Sequence, residues 1–226
     1  MDEKKLKNPD IKIIIIGNSI SNKVEFARKW TKINNEPNKS TLVSEFGFKI
    51  FEYEGKLYRI QLWDLAGQDN NYTLTKIFGK DTDGVVVMTN GASDKSRDDA
   101  IQMMKFVDEL PPFRDGGKVP VILVENNTEL LDSETKEEKS YSIDEFCQVY
   151  GFLAGFLASS KNGENVEESM EFLITNIIKR IDIALKKGNF NMNDKKCINL
   201  DSKNKENYNC PSGPTPNCKK KSCLNV

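Results

Sequence analysis

Histidine is missing from all 226 residues. Its absence excludes Ser-His-Asp and Cys-His catalysis, HExxH zinc sites, His-ligated haem and any imidazole general base. No apolar run reaches the roughly 18 residues that a membrane-spanning helix needs, and the opening MDEKKLKNPD has no signal-peptide core. Charge of one sign is lacking too. Lys+Arg 33 against Asp+Glu 34 leave a net charge of -1, so no global basic field attracts nucleic acid. Cysteine is scarce, and four of the five (Cys197, Cys210, Cys218 and Cys223, but not Cys147) lie in the last 30 residues. Their spacing matches no CxxC zinc or redox pattern, and the odd count points to a reducing cytosol. Hydrophobic residues make up only 38% against 30% charged, which predicts that part of the chain stays unpacked.

That part is the C-terminus. Residues 189–226 hold seven Lys and three acidic residues, net +4, which leaves -5 on residues 1–188. Rich in Asn, Ser and Pro and poor in large apolar residues, this segment reads as a disordered tail. Residues 1–10 read as an N-terminal extension, and the folded domain is expected over 11–188, a length that buries a full core. Inside it, strand-like runs alternate with helical patterns. Ile11–Gly17 reads as a strand buried on both faces, followed by a helix from Asn22 to Ile33. Gly47–Tyr53 and Lys56–Leu65 read as strands joined by a tight hairpin at Glu54-Gly55. Gly84–Thr89 and Val119–Val124 are further buried strands. Ala100–Leu110 and Ile143–Phe152 carry helical spacing, and Phe156–Ser160 reads as a short strand. In the last helix Val166, Met170, Leu173, Ile174, Ile177, Ile178 and Ile181 recur at i, i+3, i+4. The alternation predicts an α/β domain with a mostly parallel sheet and one antiparallel hairpin. Ligands in such sheets sit at the C-terminal ends of strands, here the loops after Ile16, Leu65 and Val124.

Two of those loops carry chemistry. Gly17-Asn18-Ser19-Ile20-Ser21-Asn22-Lys23-Val24 keeps the first Gly and the Lys of the phosphate-binding pattern G-x-x-x-x-G-K-[ST]. Trp63-Asp64-Leu65-Ala66-Gly67-Gln68 ends the third strand. An Asp there can hold Mg²⁺ through water, a Gly lets its N–H approach a γ-phosphate, and the Gln can orient an attacking water.

With these elements the chain resembles a Rab-type small GTPase over residues 11–185. The resemblance implies an α/β, P-loop NTPase-like small G domain, a mostly parallel six-stranded sheet with helices on both faces. It implies GTP/GDP and Mg²⁺ as ligands, with Gly17 to Val24 around the phosphates and Gly67 at the γ-phosphate. Thr41, within Ser40–Phe46, would sense Mg²⁺ and the γ-phosphate. Asp64 would position the metal, and Gln68 would be the catalytic residue. Val124-Glu125-Asn126-Asn127-Thr128-Glu129-Leu130 looks like the guanine loop, normally N-K-x-D, which places Asn126, Asn127 and Glu129 at the base. Ala158-Ser159-Ser160-Lys161 looks like the last base-contact loop, usually S-A-K, so Ser159, Ser160 and Lys161 join that set. Phe46, Trp63 and Phe78 stand where Rab proteins keep an aromatic effector triad; ordinary core aromatics would read the same, and Asn126 also fits a turn cap. The implied partners are effector proteins, an exchange factor and a GTPase-activating protein, around a monomer.

Four departures set the expectation for chemistry. Val24 has no oxygen for Mg²⁺. Asn22 replaces a Gly. Asn127 lacks the stem and charge of Lys, and the extra methylene of Glu129 displaces its carboxylate. They predict weakened nucleotide and Mg²⁺ binding and slow hydrolysis; the competing expectation is a non-catalytic, membrane-tethered binding module. The end of the tail, Lys219–Lys221 followed by Cys223-Leu224-Asn225-Val226, is C-a-a-X-like. It predicts prenylation at Cys223 beside a basic patch, with Cys218 open to palmitate, on the cytosolic face of an endomembrane in vesicle traffic.

Overall fold

Ile13 to Ile16 fill the middle of β1 (Ile11–Gly17), and both faces of this strand are buried. β-Branched side chains suit a pleated surface, and a strand apolar on both faces needs cover on both. The computed structural model, which describes residues 10–32, 44–65 and 79–186, places β1 third in a six-stranded sheet. The order is β2-β3-β1-β4-β5-β6, with β2 (Ser44–Tyr53), β3 (Lys56–Leu65), β4 (Gly84–Asn90), β5 (Val121–Asn126) and β6 (Ala154–Leu157). β1 pairs in parallel with β3 and β4, as do β4 with β5 and β5 with β6. Only β2 runs antiparallel, against β3. Its hairpin turns at Glu54 and Gly55, both at positive φ (48° and 71°), the geometry that matches the twist of the flanking strands.

Four α-helices of the described residues cover the sheet: α1 (Lys23–Thr31), α2 (Ser96–Asp108), α3 (Ser133–Tyr150) and α4 (Val166–Lys186). α1 packs on α4, while α2 is tied to α3 by Arg97 donating to Ser142 Oγ. α4 buries Val166, Met170, Leu173, Ile174, Ile177, Ile178 and Ile181, each contributing about 1.5–3 kcal/mol. Among the described residues no helix is long and apolar enough to cross a membrane.

β1, β3 and the apolar helix α4 stand where expected. β2 begins at Ser44 rather than Gly47, and β5 runs Val121–Asn126 rather than Val119–Val124, since Pro120 has no N–H to give a ladder. The polar helix starts are displaced as well. α2 begins at Ser96 rather than Ala100, because Asp98 and Asp99 favour a first turn through the helix dipole without adding apolar periodicity. α3 begins ten residues before the expected Ile143. Asp132 caps it by accepting from Thr135 N, and the polar stretch Ser133–Ser142 runs through solvent. Only Ile143 and Cys147 of α3 are buried. α1 stops at Thr31, where Lys32 turns left-handed. β6 lies two residues earlier than expected and leaves Ala158–Lys161 free to form a loop. The expected N-terminal extension, Thr41, Gly67, Gln68, Phe78, the tail and Cys223 lie outside the described residues; of Phe46 the backbone alone is described.

Candidate functional site

The loop after β1 has room for nothing at Gly17. A Cβ there would press on the Met88 carbonyl oxygen and lie 2.7 Å from Ser21 Oγ. The chain then makes a short 3-10 turn (Ser19–Ser21) and enters α1 through Asn22, whose φ of 57° is left-handed. Asn is among the side-chain-bearing residues that tolerate this region. Ser21 Oγ donates to Asn18 O at 2.8 Å. Lys23 folds back beneath the loop, its Nζ donating to Gly17 O at 2.7 Å and Asn18 O at 3.1 Å. Burial pulls the Lys23 ammonium below its ordinary value, while nearby Asp64 pushes it back up. Asn18 Nδ2 reaches Asp99 Oδ2 at 2.7 Å, so α2 buttresses the loop. Ser19 and Ile20 are exposed, and Val24 is half-buried.

Asp64, next to last in β3, is 4% exposed. A carboxylate is the hard oxygen donor that Mg²⁺ takes, but Val24, beside Lys23, supplies none. The residues therefore fit the ion in part: a carboxylate is present and the hydroxyl at position 24 is not. Among the described residues no three His, Cys, Asp or Glu side chains gather as a metal cluster.

The expected base loops come to the same place. Asn126 is fully buried. Its Nδ2 donates at 2.9 Å to both Ser21 O and Ser160 Oγ, and its Oδ1 accepts from Ser160 N at 2.9 Å. Both amide hydrogens are thus spent inside the protein. Asn127, at φ 66° and 4% exposed, donates to Ile20 O and Asn90 Oδ1, both at 3.1 Å. It accepts from Asn22 Nδ2 at 2.9 Å. Glu129 accepts from Ser159 Oγ at 2.5 Å. Ser160 Oγ also donates to Glu25 Oε2 at 3.4 Å, and Lys161 is exposed. Phosphate-side and base-side loops are therefore one hydrogen-bonded unit.

Sequence reading missed three participants. Asn90 ends β4, and with Gly91 it meets the base loop: Asn90 Oδ1 accepts from Asn127, Gly91 N donates to Asn126 O at 2.6 Å, and a Cβ on Gly91 would come within 3.0 Å of that oxygen. The signal was the turn-forming Asn-Gly pair after a buried strand. Glu125, fully buried just before Asn126, is held by Arg97 and Lys139 at 3.1 Å each. A lone Glu in an apolar strand run was its only mark.

Away from the loops, Trp63 is half-buried, with Lys12 Nζ 5.2 Å from its ring centroid, and Phe46 is its register partner across β2 and β3. On the face of Trp63, Phe48 and Ile50 of β2 and Leu57 of β3 are exposed, with Gln61, Arg59 and Glu52 as their register partners.

Comparison with known proteins bears on this arrangement. A profile described as the Ras family matches residues 12–179. The chain is similar to Ras-related protein Rab-32 of Homo sapiens, with 23% identity over 169 residues covering 74% of each chain. Against Rab-32A of Dictyostelium discoideum it is 27% identical over 172 residues, 74% of this chain and 78% of that one. Against Rab-7L1 of Rattus norvegicus it is 23% identical over 205 residues, 88% of this chain and 96% of that one.

Proposed function

The chain belongs to the Ras family, and from that premise we propose that it works as a guanine-nucleotide switch of Rab type in membrane traffic, with a weakened hold on Mg²⁺. The seating of Lys23 carries the reading. An ammonium buried under a left-handed loop, close to Asp64, is a charge held ready for an anion, not a solvated surface lysine. Backbone N–H groups from Asn18 to Val24 would meet the phosphates at the start of α1, with Lys23 on the β- and γ-oxygens. Asp64, together with Thr41, would hold Mg²⁺, which when bound neutralises charge on the phosphates. Gly67 would approach the γ-phosphate, and Gln68 would orient the attacking water. Glu129, steadied by Ser159, would accept from the guanine edge, with Ser160 and Lys161 beside it.

The effector face in this reading is Phe46, Trp63 and Phe78, continued by Phe48, Ile50 and Leu57. A G domain over 11–188 would be tethered to the cytosolic face of an endomembrane by a prenyl chain on Cys223 beside Lys219–Lys221. Cys218 would offer a second anchor. Membrane fractions of the native protein and Cys223→Ser test that: equal partitioning removes the anchor.

A second reading, a membrane-tethered scaffold without nucleotide, is favoured by one observation: both amide hydrogens of Asn126 are already used within the protein. One experiment separates the two. The purified protein is denatured, its supernatant is run on anion-exchange HPLC, and a fluorescent GTP analogue is titrated with and without Mg²⁺. The switch reading expects bound GDP or GTP and weak, poorly Mg²⁺-dependent affinity, with Val24→Ser making binding Mg²⁺-dependent. Absence of nucleotide and of titration favours the scaffold. Tight, strongly Mg²⁺-dependent binding by the native protein overturns the weakened-pocket claim.

A further inference from the structure

Two of the departures in the site touch each other. Asn22 stands where the phosphate pattern has a Gly, and Asn127 stands where the guanine pattern has a Lys, yet Asn22 Nδ2 donates to Asn127 Oδ1 at 2.9 Å. We propose that Asn22 and Asn127, steadied by Asn90, form a latch that fastens the phosphate loop to the base loop, so that the two are a matched pair. The inference rests on the reading that a guanine nucleotide occupies these loops.

The carboxamide of Asn127 is used to capacity. Its Oδ1 accepts from Asn22 at 2.9 Å and shares, at 3.3 Å, a hydrogen that Asn126 Nδ2 also turns to a 2.9 Å partner; its Nδ2 donates to Ile20 O and to Asn90 Oδ1 at 3.1 Å. Two donors and two acceptor positions are all that an Asn side chain has. The chain makes these bonds by itself and needs no ligand for them. Both residues sit at positive φ, 57° and 66°, so each backbone presents a short carboxamide towards the other loop.

A single replacement by the family's usual residue is therefore harmful. Lysine at 127 is donor-only. It would satisfy Ile20 O and Asn90 Oδ1, but it would turn a cation towards the Asn22 and Asn126 amides, and its longer stem would have to displace Asn22. Glycine at 22 relaxes the left-handed backbone but leaves Asn127 Oδ1 without its 2.9 Å donor. Made together, the two changes remove the opposed donor and give the lysine stem its room. Asn126 keeps Ser21 O and Ser160 Oγ in either case.

The test uses full-length protein as Asn22→Gly, Asn127→Lys, the double variant, and Asn22→Ala, which loses the amide but keeps a Cβ. Two readouts are taken: the release rate of fluorescently labelled GDP, and the thermal midpoint of protein stripped of nucleotide. Each single variant should release the label about tenfold faster and melt lower, the size of one unmet buried partner. The double should return to within about threefold of the native rate, because contacting residues couple strongly. Additive effects in both readouts, or tighter retention by Asn127→Lys alone, would overturn the latch. Non-additive midpoints with no GDP retained by native protein or variants would leave the latch standing and remove the nucleotide reading. Additive midpoints with GDP retained would do the reverse.

Discussion

At the N-terminal end of the parallel strands, Asp83 is fully buried and takes Arg114 through bonds of 2.5 and 2.6 Å, and Lys12 N also donates to it at 2.9 Å. Arg114 also donates to Asp10 O at 2.6 Å, and Asp10 takes Arg59 and Gln61. At the C-terminal end the loops meet through Asn22, Asn90, Asn126, Asn127 and Ser160, all uncharged. The far end is clamped by charge; at the site end carboxamides join the loops to one another, with the buried Glu125–Arg97–Lys139 cluster just behind them. Ionic clamping in a buried place holds only when geometry is near ideal, as the forked Arg114–Asp83 pair is. Carboxamides join loops at a lower desolvation cost. The buried charges of the site end are Lys23, Asp64 and Glu125; Glu125 is taken by Arg97 and Lys139, while Lys23 and Asp64 stand at the loops where a charged ligand has most use for them.

Breaking the far clamp should have the largest effect. Arg114→Ala leaves the Asp83 carboxylate buried with its cation removed, and should cost about 3–5 kcal/mol in urea unfolding. Nucleotide affinity of the fraction that folds should stay near native. A loss below about 1 kcal/mol would mean that the ionic end is not the stronger fastening.

Asn126→Ala comes next. It strands Ser160 N and Ser21 O, each of which Asn126 now satisfies, at about 1–3 kcal/mol. Labelled GDP should be released faster by more than the stability change accounts for, since three loops lose their common tie. Parallel losses in Arg114→Ala and Asn126→Ala would erase the distinction between the two ends.

The smallest effect sharpens the comparison through pH. Burial, with Asp182, Glu54 and Tyr53 nearby, pushes the Tyr58 phenol from 10.0 up to about 12. Above pH 10 the unfolded chain releases this proton while the folded one keeps it. Stability from Tyr58 is therefore whole below pH 10 and falls as the pH climbs to about 12. Tyr58→Phe should flatten that alkaline slope, read as thermal midpoint against pH. An unchanged slope would place the alkaline weakness at a group other than Tyr58, and not at Lys23. That lysine has the opposite sign, because its lowered value makes stability rise with pH in the window just below 10.5.

What was legible in the chain follows from how each element is stabilised. β1, β4 and α4 are written in apolar periodicity, and their burial follows that pattern residue by residue. The hairpin at Glu54-Gly55 was legible because only a few residue pairs accept two positive φ values. The first half of α3 was not, since Ser133–Ser142 is held by a cap and by solvent-side bonds that leave no apolar stripe. Arg114 and Asp83, thirty-one positions apart, had no local signature at all. In the site, Lys23, Asn126 and Asn127 could be placed by pattern. Their partners could not, because Asn22 and Asn127 lie 105 residues apart.

The sequence by itself determined the order of strands and helices, the family to which the chain belongs, and the loops that carry polar residues, because periodicity and short motifs are local properties of a chain. Only the tertiary structure decided that two unusual asparagines in separate loops answer one another. It also decided that Asn126 spends its amide within the protein and that Asn90 joins them. A hydrogen bond forms where folding brings donor and acceptor within about 3 Å, and that distance is set by the packing of the whole sheet, not by any stretch of it.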